Sequence, residues 1–200
     1  MLKHRSIRPL VEQLENYLRT QHIRAYHCTR EPLPGFFRTQ GLQLTDVNRH
    51  QNEFLKKFSA KFTANELVEM KAAWESHFVL GGQTKHRNGL LWFCLSRTLA
   101  LSPGTEAFFR YFGGEAIFMP LKRHSTIAAK LGAIGEPVIV EVSLPGAAVR
   151  AHQAMSTMLL SAYHRFKRND SFLHAAETSV KCPFDASHIL AVTPLADFRI

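Results

Sequence analysis

Two hundred residues, 46% of them apolar and 20% charged, are enough for one domain with a sizeable core, since a chain of this size buries roughly 70% of its unfolded surface. That composition excludes a disordered polar chain, and no apolar run reaches the ~18 residues of a membrane span. Twenty-five Lys and Arg against 16 Asp and Glu leave a net charge of +9, which suits an anionic partner such as nucleic acid or a phosphate-bearing cofactor.

In chain order, residues 9–22 carry Leu10, Leu14 and Leu18 at helical spacing behind Pro9, which predicts a short amphipathic helix. Residues 23–30 form a β-like segment ending before Pro32 and Pro34. Residues 35–44 predict one or two helical turns with Gly41 as a left-handed C-terminal cap. Residues 46–80 predict helices with two aromatic-rich stripes, Phe54, Leu55, Phe58 and Phe62, then Leu67, Met70, Trp74 and Phe78. The capping box Thr63-Ala64-Asn65-Glu66 starts the second helix. Gly81-Gly82 and the basic stretch Lys85-His86-Arg87-Asn88-Gly89 predict a loop.

The apolar run 90–96 predicts a buried strand. Ser102-Pro103 opens a helix that stops at Gly113-Gly114, and the next segment, Glu115 to Pro120, reads as a short strand. Residues 125–132 predict a short helix. Residues 137–145, β-branched and bounded by prolines, give the clearest strand. Residues 147–168 predict the longest helix, with Met155, Met158, Leu159, Ala162 and Phe166 on its apolar face and a basic C-terminal end. Two short strands are expected around Pro183. No internal repeat or linker divides the chain, so the expectation is a single α+β domain over 1–200 with a helical insertion at 46–80. Cys28, Cys94 and Cys182 form no C-x-x-C pair, and the N-terminus lacks the apolar stretch of a secretory signal. Both lead to a reduced, cytoplasmic setting.

Among chemistry-bearing patterns, no H-E-x-x-H, Walker A, G-x-G-x-x-G or G-x-S-x-G motif occurs, and the scattered His and Cys have no metal-ligand spacing. The most informative stretch is Tyr26-His27-Cys28-Thr29-Arg30. His27 and Thr29, two apart on a strand, point to one face, and a short helix ending in Gly41-Leu42 follows. This arrangement resembles the first motif of the ADP-ribosyltransferases, a strand of the type Y/L-H-G-T followed by a helix ending in G-L, with Cys28 standing where that motif has Gly. The related tRNA 2′-phosphotransferases share the pattern. Trp92, Phe93, Ser96 and Arg97 resemble the family's second motif, an aromatic and small-hydroxyl strand. The stretch 176–192 resembles its third, with Glu177 as the acid; Glu115 and Glu141 are rival acids.

The resemblance implies a split β-sheet core that binds NAD and cleaves its nicotinamide glycosidic bond through an oxocarbenium-like transition state. It also implies roles. Glu177 stabilises positive charge at the ribose, and His27 donates to a ribose hydroxyl. Thr29 and Arg30 hold ribose or pyrophosphate, and Trp92, Phe93 or Tyr111 stacks the nicotinamide. The acceptor implied is a macromolecule, nucleic acid or protein, and no membrane is involved. Two alternatives stay open. One is a catalytically degenerate nucleotide- or nucleic-acid-binding module of the same fold. The other is an RNA 2′-phosphotransferase relying on basic residues such as Arg30, Arg97 and His124.

Overall fold

The structure, a computed structural model, describes residues 7–150, 154–168 and 176–199. Its elements are α1 (Arg8–Arg19), β1 (His22–Glu31), α2 (Phe36–Gln40), α3 (Val47–Phe58), α4 (Ala64–Trp74), β2 (Leu91–Cys94), α5 (Arg97–Ala100), α6 (Glu106–Arg110), α7 (Gly114–Phe118), α8 (Ser125–Gly132), β3 (Glu136–Pro145), α9 (Met155–Arg168), β4 (Glu177–Val180) and β5 (Ile189–Pro194). A π-helical turn, Glu75–Leu80, continues α4. The fold is mixed α and β around one five-stranded antiparallel sheet of order β4-β2-β1-β3-β5.

β1 and β3 form the sheet's spine, paired from His22 opposite Pro145 to Glu31 opposite Glu136. Alternation along β3 sends Val138, Val140, Val142 and Leu144 to one face and Ile139 and Glu141 to the other, all of them buried. The first face packs with Ala25, Leu91, Phe93 and Val180 against Phe37, Phe184 and the α9 methionines Met155 and Met158. The second packs Tyr26, Cys28, Cys94 and Ile139 against Ala100, Phe109 and Phe198. A third cluster is helical: Val47 and Phe54 of α3, Met70 and Trp74 of α4, and Phe78 meet Ile117, Phe118, Ile127 and Leu131. The aromatic stripes of 46–80 thus serve packing. Among the described residues no helix is long and apolar enough to cross a membrane.

The capping box forms as its residues dictate: the Thr63 hydroxyl accepts from the Glu66 N–H, and the Glu66 carboxylate accepts from the Thr63 N–H. Replacing Thr63 by Ala is expected to lower stability by about 1 kcal/mol. Urea denaturation checks this; an unchanged midpoint would show that the tertiary packing of α4 fixes its start without the cap.

Several expectations are corrected. The segment after Gly113 is helical, as α7, rather than a strand. Its Ala116, Ile117 and Phe118 are all buried, so no periodicity distinguished helix from strand. Trp74 Nε1 donates to the Ile117 carbonyl at 2.9 Å, satisfying an acceptor near the end of this short helix. The helix begun near Ser102 ends at Arg110, before the glycines, with Tyr111 extended. Gly41 has φ 65° but ψ −155°, so it is an extended turn rather than a left-handed cap. In α9 only the first turn docks: Met155 and Met158 are buried, whereas Leu159 and Phe166 are exposed. The helix begins at Met155, and of the predicted start at 147, residues 151–153 lie outside the described residues.

Candidate active site at the β1–β2 fork

β1 and β2 meet at one pair, Tyr26 opposite Cys94. Towards the start of β2 the chain takes another partner. The Thr45 N–H donates to the Leu90 carbonyl, and the Gly89 N–H donates to the Thr45 carbonyl. The sheet therefore forks beside His27. The Leu42–Phe184 bridge, with N–H to O distances of 2.7 and 2.9 Å, fixes the segment that follows α2.

His27 lies in this fork. Its Nδ1 is 2.9 Å from the Trp92 carbonyl, and its ring lies 5.7 Å from that of Phe93, tilted by 59°. A carbonyl only accepts, so Nδ1 carries the proton and donates. Burial, opposed more weakly by this hydrogen bond, holds the imidazole pKa below its ordinary value of 6.5. The ring is neutral at neutral pH, and Nε2 keeps its lone pair. With Nδ1 donating to the protein, Nε2 of the neutral ring can accept a hydrogen bond but not donate one, whereas the resemblance gave His27 a donor role.

The same shift sets a pH dependence. Because the native pKa lies below the unfolded one, the unfolded chain takes up the proton first as pH falls. Stability is full above about pH 6.5 and is lost as pH drops towards the lowered native value. His50 and His77, also lowered mainly by burial, act with the same sign. Replacing His27 by Gln, whose amide also donates, is expected to make the acid-side loss shallower. Urea midpoints from pH 7.5 to 5 for both proteins check this, and superimposable profiles would contradict it.

The register places the acids. Residues opposite one another in a ladder project to the same face. Cys94 lies opposite both Tyr26 and Glu177, and Tyr26 opposite Glu141. Glu177, Trp92 and Glu141 therefore share one face, while His27, Thr29 and Phe93 share the other. His27 and Glu177 are two strands apart, one step out of line, with side chains starting from opposite faces.

The three acids differ in their partners. Glu141 is buried and held by Arg24 at 3.4 Å and Arg97 at 3.6 Å. Glu115 is bound by Arg87 at 2.6 Å. Burial raises the Glu115 carboxyl pKa, Arg87 and Lys122 lower it, and Glu177 adds a smaller rise, so Glu177 is within its electrostatic reach. Glu177 itself is exposed, and among the described residues it forms no ion pair.

Other expected site residues have structural work. Arg30 directs its guanidinium to three backbone carbonyls, Ile134 at 2.8 Å, Gly135 at 2.7 Å and Phe109, tying β1 to the end of α6 and the turn before β3. Its fork is thus committed to carbonyls and not open to a pyrophosphate. Ser96 caps α5 by accepting from the Leu99 N–H. Arg97 lies over the Phe198 ring at 4.6 Å, beside Tyr26, whose phenol pKa is raised chiefly by burial. Tyr111 packs on Phe118 beside the third core cluster. Cys28 is buried, donates to the Ala100 carbonyl and abuts Cys94, which together with burial pushes its thiol pKa up, so it is no nucleophile. Trp92 is exposed beside the fork.

Two residues outside the sequence expectation matter locally. Buried Glu31 accepts from the Phe37 N–H at the start of α2, and Arg87 neutralises Glu115. The basic stretch around Arg87 was visible in the sequence, but its acidic partner, 28 residues away, was not. Among the described residues no group of three or more His, Cys, Asp or Glu is placed to hold a metal. Compared with protein-family models, curated proteins and solved structures, the chain matches none.

Proposed function

We propose that this chain is an ADP-ribosyltransferase-like enzyme that binds NAD at the β1–β2 fork, cleaves its nicotinamide glycosidic bond and transfers ADP-ribose to a macromolecular acceptor. The observation that carries this reading is the state of His27: a neutral imidazole fixed by the Trp92 carbonyl, with Nε2 available beside a break in the sheet. Such a group accepts a hydrogen bond from a ribose hydroxyl and orients the sugar. Thr29 lies two residues along the same face and supplies a second hydroxyl contact. Exposed Trp92 supplies an aromatic surface for the nicotinamide ring.

Glu177 is the favoured acid because it alone of the three candidates forms no ion pair among the described residues. A carboxylate near the anomeric carbon stabilises the positive charge that develops there and nowhere in the ground state. A ligand seated where two strands diverge can touch groups from both faces. The reading therefore requires a substrate that reaches round β2, because His27 and Glu177 project to opposite faces and Glu177 lies on β4, beyond the Tyr26–Cys94 pair.

A second reading is a binding module of the same fold without catalysis. It is favoured by that same opposite projection and by Cys28 in place of Gly, since a side chain prevents the closest approach of backbone to ligand. The RNA 2′-phosphotransferase alternative has less support, because Arg30 and Arg97 are engaged within the protein. Nicotinamide release from NAD by purified protein tests the enzymatic reading. Release by the wild type and its loss in His27→Ala are expected. NAD binding without release favours the binding module, and release that survives in His27→Ala contradicts the site.

A further inference from the structure

Away from the fork, the π-helical turn, the turn after it and the segment before α8 border an open surface cavity of about 440 Å³. Ser76, His77, Gln83 and His124 supply its polar lining, with Ala73, Gly81 and Pro120 as walls. The π-helical turn is what aims two of these. In it the Gly81 N–H reaches back five residues to the Ser76 carbonyl, a widened turn of the kind found at functional sites. Two basic tripeptides run on from the lining residues: Lys85-His86-Arg87 after Gln83, and Lys122-Arg123-His124 ending in a lining residue itself. Lys85, Lys122 and Arg123 are exposed. Glu69 stands at the rim, its carboxylate 3.8 Å from His124 Nδ1.

We propose that this cavity is a phosphate subsite for a nucleic-acid strand, with His77, His124, Ser76 and Gln83 binding a backbone phosphate and Lys122, Arg123 and Lys85 holding its neighbours. Hydrogen-bonding side chains with exposed cations within two residues of Gln83 and His124 along the chain match a phosphodiester, and the net charge of +9 favours a polyanion over a single small anion. On the transferase reading, the strand held here is the acceptor. The role as acceptor site rests on the transferase reading; the binding itself does not.

The test is fluorescence anisotropy of labelled single-stranded 12-nucleotide DNA and RNA against the full chain, over a salt series. Variants Lys122→Glu and His77→Ala/His124→Ala are compared with a charge-matched control on α9, Lys167→Glu, and NAD binding is measured on every protein. Lys122→Glu is expected to weaken binding roughly tenfold and to lower the slope of log K against log salt by about one. The double histidine variant should weaken it by a similar factor, and Lys167→Glu should leave it near the wild type. Unchanged affinity in the cavity variants, an equal loss in Lys167→Glu, or tighter binding of a phosphorylated peptide than of either oligonucleotide would overturn the proposal. Absence of NAD binding by the wild type, with oligonucleotide binding still dependent on Lys122, would remove the transferase reading and leave the subsite standing.

Discussion

Replacing Glu177 by Gln is expected to lower nicotinamide release by about 10²–10³-fold, the effect of removing one well-placed electrostatic stabiliser, while NAD affinity stays close to that of the wild type. The separation follows from where the charge acts. In the proposed reaction NAD already carries a positive nicotinamide, but the ribose acquires positive character only as the glycosidic bond stretches, so the carboxylate would contribute to the transition state and little to binding. Gln keeps the shape and the hydrogen-bonding oxygen of the side chain and removes the charge alone. Glu115→Gln and Glu141→Gln serve as comparisons. Both acids already face arginines, so their loss should act through stability rather than turnover. Steady-state kinetics resolves the matter: a fall in kcat with KM unchanged supports the role of Glu177. Full activity in Glu177→Gln, with a loss in Glu115→Gln, would transfer the role to Glu115.

The second large effect is expected at Gly41. Its φ of 65° with ψ −155° belongs to a region that only glycine enters readily. A Cβ there would lie 2.0 Å from the Phe184 carbonyl oxygen and 2.8 Å from the Asp185 carbonyl carbon. Both obstacles are backbone, anchored by the Leu42–Phe184 bridge and by Phe184, which is buried against Phe93. Neither can rotate aside. Gly41→Ala is expected to cost about 3 kcal/mol from strain and displacement together, read as a lowered urea midpoint with an unchanged slope. Because Phe93 also packs on His27, NAD affinity should fall with it. A loss below about 1 kcal/mol would mean that the 41–42 segment moves freely, at odds with this backbone contact.

Much of the scaffold was legible because its signals are local. The β-branched alternation of 137–145 and the prolines around it specify β3, and Thr63 and Glu66 carry their cap in four residues. The aromatic stripes of 46–80 gave helices. The misreadings share a cause: the deciding partner is distant in sequence. In the run after Gly114, Ala116, Ile117 and Phe118 are all buried, against residues of α3 and α4 and the rings of Phe108 and Tyr111, which no periodicity reveals. The apolar stripe of α9 continues past its docked turn, so Leu159 and Phe166 look like core and are exposed.

The candidate site was legible as residue types and less so as roles. A strand histidine beside a hydroxyl residue marks a hydrogen-bonding face, but the proton sits on Nδ1 only because the Trp92 carbonyl, 65 residues away, is there to accept it. Arginine matches phosphates and carbonyls equally well, and three carbonyls claim Arg30. The pairing of Cys94 with both Tyr26 and Glu177 decides which face the acid takes, and such a register depends on strand partners chosen during folding.

The most direct measurement is ¹⁵N NMR of the His27 imidazole during titration with NAD. In the free protein the ring should be neutral and protonated at Nδ1, and saturation with NAD should shift the Nε2 resonance towards that of a hydrogen-bonded acceptor while Nδ1 stays in place. A ring protonated at Nε2, or an Nε2 signal indifferent to saturating NAD, would contradict a dinucleotide site in the β1–β2 fork.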